Sequence, residues 1–192
     1  YRMYRNPLVL FVLGPSYLFI LQNRLPLGLM KSGWRYWTSA MGTNAMIAIV
    51  VGLMIWLGGL MPVLLIYLPT SVIAGTIGVW LFYVQHQFEE THWSKTEDWQ
   101  LHEAALEGSS HYVLPQPLRW LTANIGIHHV HHLYSRIPFY RLPEVLRDNA
   151  DLAEAQRLTI WESFRSVNLH LWDEKLQKLM SFREAKRIYG LA

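Results

Sequence analysis

The sequence predicts an all-α membrane protein, with an interfacial segment and a transmembrane helical hairpin followed by a cytosolic helical cap that carries a histidine cluster. The 53 residues from Tyr36 to Phe88 contain no Asp, Glu, Lys or Arg. The composition is 52% hydrophobic with nine Trp and ten Tyr, which is rich for a soluble domain. Four histidines then fall within residues 128–132 of the more polar remainder. Together these features indicate a membrane protein with a metal site at its surface.

Residues 1–35 are predicted to form an interfacial or re-entrant segment and a basic linker. The apolar run at residues 7–21 contains Gly14-Pro15, and it has Arg2 and Arg5 before it and Arg24 after it. A membrane-spanning helix needs about 20 apolar residues, so this run is too short to span comfortably. Basic residues at both of its ends favour a position in the membrane interface or a return to the cytoplasmic side.

Residues 36–88 are predicted to form the transmembrane hairpin. The first crossing is expected at about residues 36–57 and the second at about residues 63–85, with an uncharged turn at residues 58–62 between them. Pro69 is expected to kink the second helix locally. A buried pair of helices in a large soluble core is the weaker alternative, because few soluble helices run this long without a charge.

The basic residues predict the orientation of this integral, multi-pass protein. Arg24, Lys31 and Arg35 precede the hairpin, most of the other Lys and Arg residues follow it, and its turn carries none. The positive-inside rule therefore places both ends, and the metal site, on the cytoplasmic side. The net charge is +3 with a pI near 9.2, but the basic residues are interspersed with acids and flank the spans. We expect a lipid bilayer as the partner and no nucleic acid.

Residues 89–192 are predicted to form the cytosolic helical cap. We expect a helix at residues 97–107 that ends at Gly108-Ser109-Ser110, and a helix at residues 118–133 that carries the histidine cluster. Two more helices are expected at residues 144–156 and 158–188, the last of them amphipathic.

The histidine spacing predicts a metal site. On a helix, His128, His131 and His132 share one face, whereas His129 points elsewhere. His86 lies at the cytoplasmic end of the second span, where an ionisable group is a functional candidate. The alternatives are a solvated basic cluster and, for His86, an interfacial histidine. The chain has no cysteine, so the metal ligands would be nitrogen or oxygen atoms.

Other polar residues are weaker candidates for orienting these ligands. Asn124 precedes His128 by four residues, His102 lies in a polar helix beside Glu103, and Glu89 follows the second span. For each of these, an ordinary capping or solvated role competes with the orienting role. His92, His111 and His170 are assigned to the surface or core. Imidazoles suit iron, zinc or copper, but a lipid substrate favours iron with dioxygen, because zinc is redox-inert.

Five sequence segments resemble the membrane fatty acid desaturases, and within them the delta-12 or omega-6 acyl-lipid branch. The segments are QHQFE at 85–89, AALEGSS at 104–110, NIGIHHVHHL at 124–133, SRIP at 135–138 and YRLP at 140–143. The resemblance covers nearly all of the chain. It implies a di-iron oxygenase in which His128, His131 and His132 form the third histidine box and His86 is an additional ligand.

The resemblance also implies the reaction, in which dioxygen and two electrons introduce a cis double bond into a fatty acyl chain. The ligands need not act as acids or bases. The substrate would be an acyl-lipid, acyl-CoA or acyl-ACP, and a separate electron donor such as a ferredoxin or cytochrome b5 would be needed. The alternatives are a related hydroxylase, acetylenase or carotenoid-modifying enzyme and, from another class, a histidine-rich membrane metal-binding or transport protein.

Two departures from the family pattern qualify this resemblance. The HxxxH box and the earlier HxxHH box do not occur in the 192 residues. Two irons need about eight imidazoles and the chain supplies four matched ones, so we expect the C-terminal portion of a desaturase that is inactive alone. Phe139 also stands where the branch usually has asparagine, which puts a local hydrogen bond in question.

Overall fold

The computed structural model describes residues 1–25, 27–95 and 97–190, which are mostly helical. The chain divides into two compact units, Tyr1–Trp80 and Leu81–Ala192. The three segments expected from the sequence, 1–35, 36–88 and 89–192, concern placement in a membrane, and they stay predictions.

The first unit begins with a helix, α1, made of Val9–Leu13, Gly14–Ser16 and Tyr17–Leu21. Gly14-Pro15 does not break it, because wide π-type turns on both sides accommodate the proline, which lacks an N–H donor. These 13 residues are about 20 Å long, which is shorter than the hydrocarbon core of a bilayer. Two 3-10 turns follow, at Gln22–Arg24 and Leu27–Ser32.

Two long helices follow, α2 at Trp34–Gly58 and α3 at Leu60–His86, and both are long and apolar enough to cross a membrane. They are about 37 and 40 Å long, against about 30 Å of hydrocarbon. The turn between them is shorter than the expected residues 58–62. Gly59 alone separates the helices, because its φ of +77° reverses the chain at one residue and its N–H donates to the Ile55 carbonyl.

α3 contains an irregular turn just before Pro69. A π-type turn at Val63–Tyr67 precedes the proline, and the kink expected at Pro69 stays a prediction. Pro69 has no N–H to donate to the carbonyl of Leu65, four residues earlier, and widening the preceding turn relieves the crowding around that carbonyl.

The second unit comprises the end of α3 and a set of short elements. Its helices are α4 Leu101–Glu107, α5 Gln116–Leu121, α6 His128–Leu133, α7 Leu142–Asp148, α8 Ala150–Glu154, α9 Ile160–Ser166 and α10 Phe182–Tyr189. Its strands are β1 His111–Val113, β2 Arg157–Thr159, β3 Leu171–Asp173 and β4 Lys178–Met180. β1 pairs with β2 in parallel, and β3 pairs with β4 in antiparallel. The expectation of an all-α cap is therefore wrong in detail.

The predicted helix at residues 118–133 is two helices with a turn between them. α5 ends at Leu121, and Ala123 and Asn124 then adopt positive φ angles of 52° and 53°, which no helix interior allows. The Tyr112 N–H donates to the Gly126 carbonyl at 2.7 Å. This tertiary contact pulls the chain against β1, so α6 starts only at His128. The predicted helix at residues 97–107 also begins late, at Leu101.

The two helices predicted at residues 144–156 and 158–188 are also wrong in extent. The first is split into α7 and α8 at Asn149. The second is interrupted by the β3–β4 hairpin, whose turn includes Gln177 with a φ of 49°. Local caps explain the remaining helical pieces, because the Thr159 hydroxyl accepts the Glu162 N–H and the Ser181 hydroxyl accepts the Glu184 N–H.

The last turn of α3 is enclosed by the rest of the second unit. Tyr83, Val84 and Gln85 are buried. The Gln85 side-chain amide donates to the Ile125 carbonyl at 3.0 Å, and the Gln85 carbonyl accepts the Ser110 N–H at 2.9 Å. A small apolar cluster supports α6. It consists of Ile127, Val130 and Leu142, and residues 137, 145, 146 and 152 pack around it. These contacts fix His86 relative to α6.

Replacing Gly126 with alanine should destabilise the second unit by about 1–3 kcal/mol. A Cβ atom at Gly126 would stand 2.4 Å from the Tyr112 carbonyl oxygen, and a backbone atom cannot move aside cheaply. Thermal unfolding in detergent measures the loss. Gly78→Ala is the matched control, because a Cβ there meets nothing within 4 Å. Equal unfolding midpoints for the two variants would contradict the close-packing argument.

Candidate metal centre

Two short segments carry the histidines and are joined by backbone contacts. His86 is the last residue of α3, and His128 is the first residue of α6. The Gln85 amide bonds to the carbonyl of Ile125, three residues before His128. Ile127 forms a β-bridge with His111, which fixes the start of α6. These backbone contacts hold the two segments at a defined separation, independently of the contacts between the histidine rings.

Three imidazoles converge at this place. The Nε2 atom of His132 lies 3.2 Å from Nε2 of His86 and 3.0 Å from Nε2 of His128. One nitrogen from each ring lies within 4.8 Å of the other two. The ring of His128 is 7% exposed, that of His86 is half-buried and that of His132 is exposed. The cluster is thus closed on one side and open on the other.

The protonation of His86 follows from its hydrogen bond. Its Nδ1 atom lies 2.8 Å from the Phe82 carbonyl oxygen. A carbonyl only accepts, so Nδ1 must carry the hydrogen. In the neutral ring, Nε2 then presents a lone pair to the other two histidines. The backbone of α3 thereby fixes the tautomer that a metal ligand needs.

The Nε2 atoms of the three rings cannot all form hydrogen bonds with one another. Nε2 of His132 faces two other Nε2 atoms but carries at most one hydrogen. The Nδ1 atom of His128 is also buried and finds no hydrogen-bond partner in the part of the chain that the structure describes. A metal ion accepts several lone pairs at once. Two nitrogens on one ion with metal–nitrogen bonds of about 2.1 Å can be at most about 4.2 Å apart, so the separations of 3.0 and 3.2 Å would be compatible with a shared ion.

Burial and neighbouring charge favour the neutral form of His128 and His132. Burial first, and then the neighbouring His86, His132 and His131, lower the pKa of His128 to about 3. Burial, with the same neighbours, also lowers the pKa of His132. A neutral imidazole is the form that binds a metal, so the site is ready for a cation near neutral pH.

His131 lies beside the group of three. Its ring centroid is 5.6 Å from that of His128 and 6.0 Å from that of His132. The structure brings together His86, His128 and His132, and it leaves His131 half-buried next to them. The assignment of all four as metal ligands stays a prediction.

His129, which is buried, and His111, which is partly buried, form a pair that the sequence did not reveal. His129 is completely buried, and its Nε2–H donates to the Leu152 carbonyl at 2.8 Å. The Nδ1–H of His111 donates to the Ala153 carbonyl at 2.9 Å, and the two rings are 5.4 Å apart. Both bonds end on α8, so the pair attaches α6 and β1 to that helix. The one available signal was that His129 adjoins the apolar Val130 on the face opposite the ligands.

The weaker candidates lie apart from the three convergent nitrogens. Asn124 is in the turn before α6, so the argument that it shares a helical face with His128 is wrong. Its amide nitrogen donates to the Phe139 carbonyl at 3.0 Å, which is a backbone contact that tolerates Phe139 in place of asparagine. His102 and Glu89 are exposed, and among residues 1–25, 27–95 and 97–190 no hydrogen bond joins them to the cluster. Their orienting roles stay predictions.

Comparison with known proteins gives two matches. The family model described as "Fatty acid desaturase" matches residues 1–164. The chain is 41% identical over 190 residues to a protein named "Fatty acid desaturase" from Bacillus subtilis (strain 168), and the match covers 98% of this chain and 53% of the relative. The chain therefore spans about half the length of the curated relative that it matches.

The pair of His111 and His129 should make the stability of the second unit decrease as the pH falls. Burial lowers the pKa of His111 and of His129 below the ordinary 6.5. As the pH drops below 6.5, the unfolded chain takes up protons that the folded pair does not, which favours unfolding. The melting midpoint of the metal-free chain should therefore decrease from pH 7.5 to 5.

Two variants test the origin of this pH dependence. His111→Gln should flatten the decrease, because it removes one titrating group while keeping a donor for the Ala153 carbonyl. His102→Gln replaces an exposed histidine and should follow the wild type. If His111→Gln has the same pH slope as the wild type, the buried histidine is not a source of the effect.

Proposed function

The chain belongs to the fatty acid desaturase family, and we propose that the whole protein is a membrane di-iron enzyme that introduces a cis double bond into a fatty acyl chain. Three imidazole nitrogens converging at the end of a helix apolar enough to span a membrane carry this proposal. A lipid-facing reaction on an unactivated hydrocarbon fits that location. The same cluster in a transporter would be expected nearer the middle of the spans.

The proposed placement has α2 and α3 crossing the bilayer, with both of their outer ends in the cytoplasm. The lengths of the two helices and the exposure of their apolar side chains support the crossing. The basic residues before α2 and after α3, with none in the turn, support the orientation. The metal centre then lies at the cytoplasmic surface, where a protein electron donor has access.

His86, His128, His131 and His132 hold iron in this proposal. The donor set fits, because neutral imidazoles bind iron and at least one lone pair already points into the cluster. When bound, the two irons supply the redox chemistry that lets dioxygen attack a saturated chain. The residues of this chain position that chemistry: the Phe82 carbonyl orients His86, and burial keeps His128 neutral.

The overall reaction balances with two electrons from outside. A pair of adjacent acyl CH₂ groups loses two hydrogens to form CH=CH, while dioxygen, two electrons and two protons yield two waters. A ferredoxin or cytochrome b5 would provide the electrons, and the acyl chain would be carried on a lipid, CoA or ACP. Since the chain spans about half of its relative, we assign the remaining histidine boxes to the rest of the protein.

The 192-residue chain in detergent should bind one divalent metal at the histidine cluster. Co²⁺ is a suitable probe because its visible absorption reports nitrogen coordination. His128→Ala should weaken Co²⁺ binding by at least about 10-fold, since even an outer partner of a ligand is worth that much. His92→Ala is the matched control, because that ring packs against Trp172 instead. Unchanged Co²⁺ affinity in His128→Ala would remove the metal assignment.

The full-length protein should make a new double bond when expressed in cells that lack polyunsaturated fatty acids. Gas chromatography with mass spectrometry of the total fatty acids detects this product, and His131→Ala should abolish it while His92→Ala retains it. An accumulating hydroxy fatty acid would indicate the related hydroxylase instead. If His131→Ala makes as much product as the wild type, His131 is not a metal ligand.

A further inference from the structure

His129 lies on the same short helix, α6, as His128 and His132 but points in another direction. Around the helix axis it is about 100° from His128 and about 60° from His132. Its ring is 0% exposed, and its Nε2–H donates to the Leu152 carbonyl at 2.8 Å. The Nε2 atom of His129 is therefore engaged with the backbone of α8 and is not available to an ion at the histidine cluster.

The acceptor of this hydrogen bond lies near the C-terminal end of α8. This helix has only five residues, Ala150–Glu154, and the last four carbonyls of a helix lack partners within it. His129 donates to the Leu152 carbonyl, and His111 donates to the next carbonyl, that of Ala153, at 2.9 Å. The two imidazoles thus supply donors that the backbone of α8 does not. Removing either donor would leave a carbonyl without its partner.

The hydrogen bond of His129 limits the rotation of α6 about its own axis. Val130, the next residue of α6, packs in the apolar cluster with Ile127 and Leu142, and apolar contact has no preferred direction. A hydrogen bond, in contrast, weakens steeply as its donor angle closes. Side chains reach about 5–6 Å from a helix axis, so a roll of about 10° moves an imidazole nitrogen at that radius by about 1 Å. The directional contact of α6 is therefore the one that keeps such a roll small.

We propose that His129 is a positioning residue of the metal centre, because its hydrogen bond to α8 holds α6 at the rotation that brings the Nε2 atoms of His128 and His132 together. Designed metal sites work only when their side chains are held within about 0.5 Å and about 10–20° of the productive geometry. An α6 released from α8 would therefore bind the ion less tightly and with a different geometry. This proposal rests on the metal-binding role given under the proposed function. A purely structural histidine would instead affect stability alone.

Three substitutions at position 129 separate the hydrogen bond from the bulk of the ring. His129→Leu keeps an apolar side chain and removes the donor. His129→Gln places an amide nitrogen at about the reach of Nε2, whereas the amide nitrogen of His129→Asn is one bond shorter. Val130→Ala is the matched control, because it loosens the packing of the same helix and leaves the hydrogen bond in place. Each variant of the 192-residue chain in detergent is titrated with Co²⁺, and its melting midpoint is measured without metal.

His129→Leu should weaken Co²⁺ binding by about 10-fold, which is the effect expected of an outer partner of a ligand. It should also change the visible absorption of bound Co²⁺, which reports the coordination geometry. His129→Gln should restore both the affinity and the spectrum, and His129→Asn should restore neither. This comparison of Gln with Asn decides the result if His129→Leu does not fold. Val130→Ala should lower the melting midpoint but keep the wild-type spectrum.

Three results would overturn the positioning role. Wild-type affinity and spectrum in His129→Leu or His129→Asn would show that the hydrogen bond does not position the ligands. Equal losses in His129→Gln and His129→Leu would show that the imidazole itself is required. A spectrum altered in Val130→Ala as in His129→Leu would show that any loosening of α6 disturbs the site. If the wild type binds no Co²⁺, or if His128→Ala binds Co²⁺ as well as the wild type, the proposed metal centre fails together with the positioning role.

Discussion

The arrangement of the second unit depends on the enclosure of Gln85, which is 1% exposed. Burying an amide is unfavourable unless its polar atoms find partners. The side-chain nitrogen of Gln85 donates to the Ile125 carbonyl, and the backbone carbonyl of Gln85 accepts the Ser110 N–H. These two bonds join the end of a candidate membrane span to the segments before β1 and α6. The distance between His86 and His128 is therefore set by the backbone and survives whether or not a metal binds.

The histidine cluster is an arrangement that costs folding stability unless a cation binds there. Burial and mutual repulsion keep His128 neutral, and that same environment leaves nitrogen lone pairs facing each other with few hydrogens between them. Such an arrangement is costly in an empty protein and favourable around a cation. The pair His111 and His129 shows the contrasting case, in which each ring donates to a backbone carbonyl of α8. A histidine that adjoins a candidate ligand in sequence, as His129 adjoins His128, can thus have a structural role.

The sequence predicted the parts of the molecule that composition alone controls. An uncharged stretch of 53 residues is sufficient evidence for two long apolar helices, and α2 and α3 agree with it to within a few residues. The convergence of His128 and His132 was also predictable, because i and i+4 share a helical face, whereas their distance from His86 depends on tertiary contacts. The breaks in the cap were not predictable. The positive φ of Ala123 follows from a contact between Tyr112 and Gly126, which are far apart in the sequence. The local hydrophobic periodicity does not predict such a contact.

In the last turn of α3, side chains at different angles around the helix axis make three different contacts. Successive residues on a helix are about 100° apart, so around the helix axis Gln85 points about 100° away from His86, and Tyr83, three residues earlier, about 60° away. Phe82 and His86 are four residues apart and share a face, with ring centroids 4.6 Å apart. Tyr83 bonds to the chain that follows α9, Gln85 bonds to the segment before α6, and His86 turns towards the other imidazoles. A shift of one residue in this turn would exchange the structural contacts with the histidine, so the register of the last turn of α3 fixes the histidine cluster and the fold around it at once.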